Sequence, residues 1–318
     1  MNFDVKARTI IYVRHGSHAY GLNVPTSDED FKGVCIKPKE CYFGFLNSFE
    51  QAEHMGSKSD GVDSVTYSLD KFAKLAADCN PNIIEILHVA DRHVLSINEF
   101  GEELRSYRDE FISKKAKFTF SGYAHAQLNR IKTHRSWLLN PPKAHPARKD
   151  FGLSEISKVS KSELGAYDAA AADGIELDLP KDVLTLFTRE KQYQAAKAHF
   201  DQFKNWEKNR NPARAELEAK HGFDTKHGMH LMRLLTMAVE ILEEHRVYVD
   251  RHDRGDREEI LAYRYGKHGY DALIERAEFL EKRCEELYTS STLRKEPDRK
   301  LIDAVIVKLT EKYLSIYG

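Results

Sequence analysis

The residues best suited to chemistry lie near the start of the chain. They are Gly16-Ser17-His18-Ala19-Tyr20-Gly21 and, after a loop through Pro25, Ser27-Asp28-Glu29-Asp30-Phe31-Lys32-Gly33-Val34. The β-branched, apolar run from Thr9 to Val13 predicts a strand leading into Gly16-Ser17, and Asp28-x-Asp30 opens the next strand. Residues two apart in a strand point to the same face, so Asp28 and Asp30 are expected to project together. Two adjacent carboxylates repel unless a cation lies between them. Mg²⁺, or Mn²⁺ in its place, suits such a pair, because it takes one or two carboxylates and completes its shell with phosphate oxygens. Gly16 removes side-chain bulk where a phosphate would approach the backbone. The Ser17 hydroxyl and nearby N–H groups can then hold the phosphate oxygens.

A Gly-Ser followed about ten residues later by Asp-x-Asp at a strand resembles the nucleotidyltransferase signature of the DNA polymerase β superfamily. Here Asp28 comes eleven positions after Ser17. The resemblance implies a third carboxylate from a later strand, and Asp63 in Val62-Asp63-Ser64-Val65-Thr66-Tyr67 is the candidate. A closer resemblance covers most of the chain. Asp63 … Tyr67-Ser68-Leu69 … Phe72 … Leu75 … Asn80-Pro81 … Glu85-Ile86-Leu87 resembles the RlaP/YcgL group of nucleotidyltransferases associated with RNA repair. So does the later run from Gly222-Phe223-Asp224 through His227-Gly228-Met229-His230 to Leu235. The block from His125 to Arg135 is similar to versions of the group carried by bacteriophages. This resemblance implies a polymerase β-type fold and metal-dependent use of a nucleoside triphosphate; it does not supply the acceptor, for which the RNA-repair context favours an RNA such as tRNA.

The second motif also has a reading of its own. Asp224 or Thr225 can cap a helix starting at Lys226, with Leu231, Leu234, Leu235, Ala238, Ile241 and Leu242 as its buried stripe. Lys226, His230 and Arg233 follow i, i+4, i+7 and share a face at the edge of that stripe. A cationic strip there suits the β- and γ-phosphates of a nucleotide. The alternative is a solvated helix face. Arg130, Lys132, His134 and Arg135 form a basic cluster on a predicted helix, with Trp137 behind it. Such runs are commonly solvated; here the cluster is a candidate acceptor-binding surface, to which Arg148-Lys149 can belong. Asn80-Pro81 is expected to start a helix, with Glu85 pinning it to a neighbour.

These residues need a scaffold, and the pattern predicts one of class α+β. Strands at 9–13, 31–36 and 62–67 precede a helix capped by Ser68 and a second one after Asn80-Pro81. Residues 37–61, with Pro38, Gly44, Gly56 and Gly61, read as an irregular excursion. From about Ile97 the chain reads as mostly helical, with 3.6-residue periodicity over 99–109, 113–139, 182–209, 226–247 and 271–288. The alanines at 169–172 support a further helix. Pro141-Pro142 and Pro146 mark a loop reaching Phe151. The expected organisation is a nucleotidyltransferase α/β domain over 1–95 and a helical domain over 96–318 that contributes to nucleotide and acceptor binding.

Composition narrows the function class. The 318 residues carry 49 Lys+Arg against 50 Asp+Glu, so nucleic acid would have to meet a local basic patch rather than a field over the whole protein. Apolar runs such as Ile10–Val13 are only a few residues long, which excludes a membrane-spanning helix. Cys35, Cys41, Cys79 and Cys284 form no CxxC pair and read as free thiols of a cytoplasmic protein. His227 with His230 lacks the context of a zinc site, and Ser17 lacks the GxSxG elbow of a hydrolase. An RNase centred on Arg130 … His134 is a weaker alternative. The expected activity is transfer of an NMP from an NTP to an acceptor hydroxyl, an RNA 3′ end in the family context. Asp28 and Asp30 would hold metal, and Asp63 would bind metal and help deprotonate the attacking hydroxyl. The rivals are protein AMPylation on the same site and a nucleotide- or RNA-sensing module without turnover.

Overall fold

The computed structural model describes residues 3–55, 62–156, 159–174 and 179–318. Gly56 and Gly61 of the expected excursion lie outside the described residues.

Five strands form one mixed sheet. β1 (Thr9–His15), β2 (Glu29–Cys35), β3 (Gln51–His54), β4 (Val62–Ser68) and β5 (Val94–Ile97) lie in the order β3-β4-β2-β1-β5. The β2–β4 pairing is parallel and the others are antiparallel. Two short helices, α1 (Gly16–Ala19) and α2 (Glu40–Phe43), interrupt the strands. α3 (Leu69–Ala77) and α4 (Pro81–His88) follow β4, and α5 (Glu99–Ser106) follows β5. The expected irregular excursion thus contains α2 and the edge strand β3. Gln51-Ala52-Glu53-His54 is polar and half-exposed, and a strand with neither face buried leaves no alternation to read.

Ser68 precedes α3 as expected, yet its hydroxyl makes no cap bond and is buried without a hydrogen-bond partner among the described residues. Asn80 does cap α4, its side chain accepting from the Asn82 N–H at 3.1 Å, and Pro81 takes the first helical position. Every helical segment read from periodicity contains a helix. α6 spans Lys115–Leu139, α7 Lys161–Ala172, α8 Lys181–Asn209 and α9 Pro212–His221. α10 (Thr225–Glu244), α11 (Arg251–Arg254), α12 (Arg257–Arg264), α13 (Tyr270–Ser290) and α14 (Arg299–Tyr317) complete the chain. No helix among the described residues is long and apolar enough to cross a membrane.

The chain clusters into two units, but not at residue 95. Residues 1–131 and 224–318 form one, and residues 132–223 form the other. The expected boundary falls inside β5. Its failure has a physical cause: the last helices complete the core of the first unit. α14 packs on α3 and α5, the Tyr313 ring lies 5.1 Å from Phe100, and Lys308 pairs with Glu103 at 2.7 Å. The buried apolar residues of this unit include Ile10, Ile11 and Val13 of β1, Leu69 and Phe72 of α3, and the apolar stripe of α10. All six positions named for that stripe are buried.

The 132–223 unit has its own centre. Trp137, Phe203 and Trp206 cluster with ring centroids 5.3–5.9 Å apart. The Trp137 indole N–H donates to His199 Nε2 at 2.8 Å. Buried Glu190 accepts a two-pronged bond from Arg148, and buried Glu218 pairs with Arg210.

Candidate active site

The site forms in the first unit, in a cavity of about 620 Å³. Strand register brings the acids together. Asp30 of β2 and Asp63 of β4 are Cα partners across the parallel ladder, and His15 at the end of β1 is the antiparallel partner of Asp30. Asp28 lines the same cavity but sits just before β2, where it is not fixed by strand alternation. The residue that does share Asp30's strand face is Lys32, two positions on. Its Nζ donates to the Asn82 carbonyl at 2.6 Å.

Gly16 is demanded by this crowding. Its φ is +63°, and a Cβ there would meet Asp30 Oδ2 at 2.0 Å. The glycine therefore makes room for the carboxylate as much as for any ligand. Ser17 follows on α1 and also lines the cavity.

The electrostatics divide sharply. Burial raises the Asp30 carboxyl above its ordinary range, and the neighbouring Asp63 and Asp28 charges push the same way against Lys32 and Lys226. Burial pushes the Lys32 ammonium down to about 8, although Glu85 and Asp30 oppose the change. Among the described residues, no group of three or more His, Cys, Asp or Glu encloses a metal position. The Asp30–Asp63 pair nonetheless fits Mg²⁺ in kind. It offers two hard oxygen donors whose mutual repulsion a cation would relieve, leaving the rest of the shell to other oxygens.

α10 supplies the basic side. Asp224 caps it, accepting from the N–H groups of Lys226 at 2.9 Å and His227 at 3.1 Å. Lys226, His230 and Arg233 all line the cavity, as their spacing requires. Arg233 differs from a free phosphate ligand. It is 4% exposed, its Nη1 donates to Glu85 Oε1 at 2.8 Å, and its guanidinium lies 3.8 Å from the Tyr20 ring centroid. Its Nε is buried without a hydrogen-bond partner among the described residues.

Glu85 is the centre that sequence reasoning treated only as a pin. It is fully buried, accepts from the Tyr20 hydroxyl at 2.7 Å, and has His15 Nε2 3.1 Å away. Burial alone would raise its carboxyl, but the Arg233 charge, helped by His15 and Tyr20, outweighs burial and holds it down at about 2. Burial and the Lys32 charge push His15 down to about 4, so that ring is neutral. Lys32 could have been found from its two-residue spacing after Asp30. Tyr20 and His15 had no signal beyond flanking Gly16-Ser17.

The basic cluster on α6 does not stay together. Arg130 lines the cavity. Lys132 is exposed and belongs to the 132–223 unit with His134 and Arg135. There His134 stacks on Trp137 with centroids 5.6 Å apart and lies 3.4 Å from Glu218, while Arg135 donates to the Gly222 carbonyl at 2.8 Å. These two side chains are half-buried and held within that unit by these contacts. Arg148 likewise is held by Glu190.

An α+β chain with paired acids at the ends of parallel strands and cations on a later helix now has a counterpart among known proteins. Residues 3–140 match a DNA polymerase β-type family. That family is RlaP, the RNA repair pathway DNA polymerase beta family, and the resemblance read from the N-terminal motifs is borne out over this stretch. The Gly222–Leu235 motif lies beyond it. An uncharacterised 38.9 kDa protein of Enterobacteria phage T4, from the nrdC–mobD intergenic region, is 28% identical over 130 residues. That alignment covers 39% of this chain and 38% of the phage protein. The chain thus matches well under half the length of this relative. No solved structure matches the chain.

Proposed function

We propose that this protein is a Mg²⁺- or Mn²⁺-dependent nucleotidyltransferase that moves the NMP of an NTP onto an acceptor hydroxyl, the 3′ end of an RNA. One observation carries the reading: Asp30 and Asp63 are register partners in a cavity that also contains Gly16-Ser17 and the cationic face of α10. The RNA acceptor rests on the family description. The volume suits a nucleotide-sized ligand.

Asp30 and Asp63, with Asp28 beside them, would hold the divalent cation, which when bound supplies positive charge to the α-phosphate and makes the attacking hydroxyl more acidic. Lys226 and Lys32 line the same cavity and would meet triphosphate oxygens with ammonium groups. Arg233, held by Glu85 and Tyr20, would act on the same anion through its charge. In the reaction the acceptor oxygen bonds to the α-phosphorus and the bond to pyrophosphate breaks. The hydroxyl proton passes to an Asp63 carboxylate oxygen.

The test incubates the full chain with each α-labelled NTP, Mg²⁺ or Mn²⁺, and total RNA or none, beside an Asp30→Asn/Asp63→Asn variant. Label on RNA that the variant fails to add supports the reading. Label on protein instead moves the acceptor to a protein hydroxyl. Nucleotide binding without transfer to anything favours a sensor, and no binding of any NTP overturns the assignment.

A further inference from the structure

One face of α6 lines the cavity through Tyr123, Ala126, Gln127 and Arg130, spaced i, i+3, i+4, i+7. This wall carries no carboxylate. Gln127 is its most firmly held polar group: its Oε1 lies 2.6 Å from His227 Nδ1. His227 is 6% exposed, and its Nε2 lies 3.5 Å from Oδ2 of Asp224, itself 1% exposed. The other Asp224 oxygen is occupied by the cap of α10. An amide oxygen can only accept, so at 2.6 Å it is the His227 Nδ1–H that donates to Gln127 Oε1. The amide is then oriented with its NH₂ group as the part available to a ligand. Arg130, one turn on and exposed, adds further donors, and the Tyr123 ring offers a face for stacking.

Resting on the nucleotidyltransferase reading, we propose that this α6 wall recognises the nucleobase, with Gln127 as the specificity-determining residue and Asp224–His227 as the pair that orients it. A wall of donors selects a base edge made of acceptors. Among purines that edge is guanine, with N7 and O6 side by side, whereas adenine places an amino group there. The preferred substrate is therefore GTP over ATP. Gln127 is a binding residue; His227 and Asp224 are positioning residues.

The experiment measures binding of the α,β-methylene analogues of ATP, GTP, CTP and UTP to the full chain by calorimetry with Mg²⁺. The guanosine analogue is expected to bind about five- to tenfold more tightly than the adenosine analogue, the scale of one hydrogen bond. Gln127→Ala should bring the two affinities together. Gln127→Glu keeps the shape and an acceptor for His227 but presents a carboxylate oxygen, so it should reverse the order. His227→Ala should erode the preference part way while weakening all four analogues less than Gln127→Ala weakens the guanosine one. Circular dichroism melts confirm that each variant is folded, and the two Gln127 variants test the point independently. A wild type that does not distinguish guanosine from adenosine overturns the proposal, as does a preference that survives in Gln127→Ala. Binding of none of the analogues overturns the nucleotidyltransferase reading beneath it, which is a different result.

Discussion

The strand side and the helix side of the cavity hold similar numbers of charges in opposite conditions. On the strand side, Asp30 and Asp63 face each other across a parallel ladder with Asp28 close by, and burial together with their repulsion raises Asp30 out of its ordinary range. On the helix side, Glu85 and Arg233 are both buried, bonded at 2.8 Å and supported by Tyr20 and His15. In the first arrangement like charges and burial oppose ionisation of Asp30. The second is complete as it stands. Removing a charge should therefore have opposite consequences for stability on the two sides, and for activity the order of severity should invert.

The largest effect is expected from Asp30→Asn or Asp63→Asn. Labelled-NTP transfer should fall by at least about 10²–10³-fold, the scale of losing one transition-state electrostatic contact. The melting temperature should hold or rise, because a repulsion is relieved. Mg²⁺ should raise the wild-type melting temperature and leave that of the double variant unmoved.

Glu85→Ala tests the opposite side. It strands Arg233 as an uncompensated buried charge and should cost about 3–5 kcal/mol in denaturant unfolding. A loss under about 1 kcal/mol, the scale of an exposed pair, would show that the network is not what holds α4 to α10. Next in size is Gly16→Ala, which combines a left-handed φ with a 2.0 Å approach to Asp30. Unfolding should become easier by about 1–3 kcal/mol, and transfer should drop with it, since Asp30 must move.

Acid sensitivity gives the smallest signal. His88 on α4 is pushed down from 6.5 to about 3 by burial and then by the Arg108 charge. The unfolded chain therefore takes up a proton below about pH 6.5 that the folded chain refuses, and stability falls as pH drops toward 3. Glu85, held at about 2 against an ordinary 4.5, adds a loss of the same sign that begins below pH 4.5. Melts from about pH 8 to about pH 3.5 should show decline beginning near 6.5 in wild type. His88→Gln should make the decline shallower without moving its onset, because buried His15, lowered to about 4, begins to lose stability in the same range; a curve unchanged by that substitution would remove His88 from the account.

Much of this site could be read before the fold was known, because its elements are local. Gly16-Ser17 and Asp30 are joined by one hairpin, and alternation alone places Asp30 and Lys32 on one face. The Asp224 cap and the Lys226-His230-Arg233 face come from a single helix with a clear apolar stripe. Illegible were the facts that depend on which surfaces meet. Glu85 sits among Ile83, Ile84, Ile86 and Leu87, where periodicity says only that a helix is buried. The charge run from Arg130 to Arg135 looks uniform in sequence, yet one helical turn separates a cavity-lining arginine from a histidine packed on tryptophan. β5, with four residues, and β3, with no apolar face, are too short and too mixed to carry a period. The boundary at 95 assumed that neighbours in sequence fold together, while α14 returns to pack on α3 and α5.

The ion pair at the back of the cavity joins residues 148 positions apart, with the whole 132–223 unit made in between. On the ribosome, Glu85 therefore emerges about 7–30 s before Arg233 at ordinary elongation rates. During that interval the sheet can pair, but its buried acid lacks the arginine that bonds it, and closing α4 around it is less favourable. The first unit is thus obliged to wait for its own second segment before this pair can form. A chain stopped anywhere before residue 233 should accumulate as an open, protease-sensitive intermediate, and the length of the 132–223 segment sets the delay before the cavity is complete.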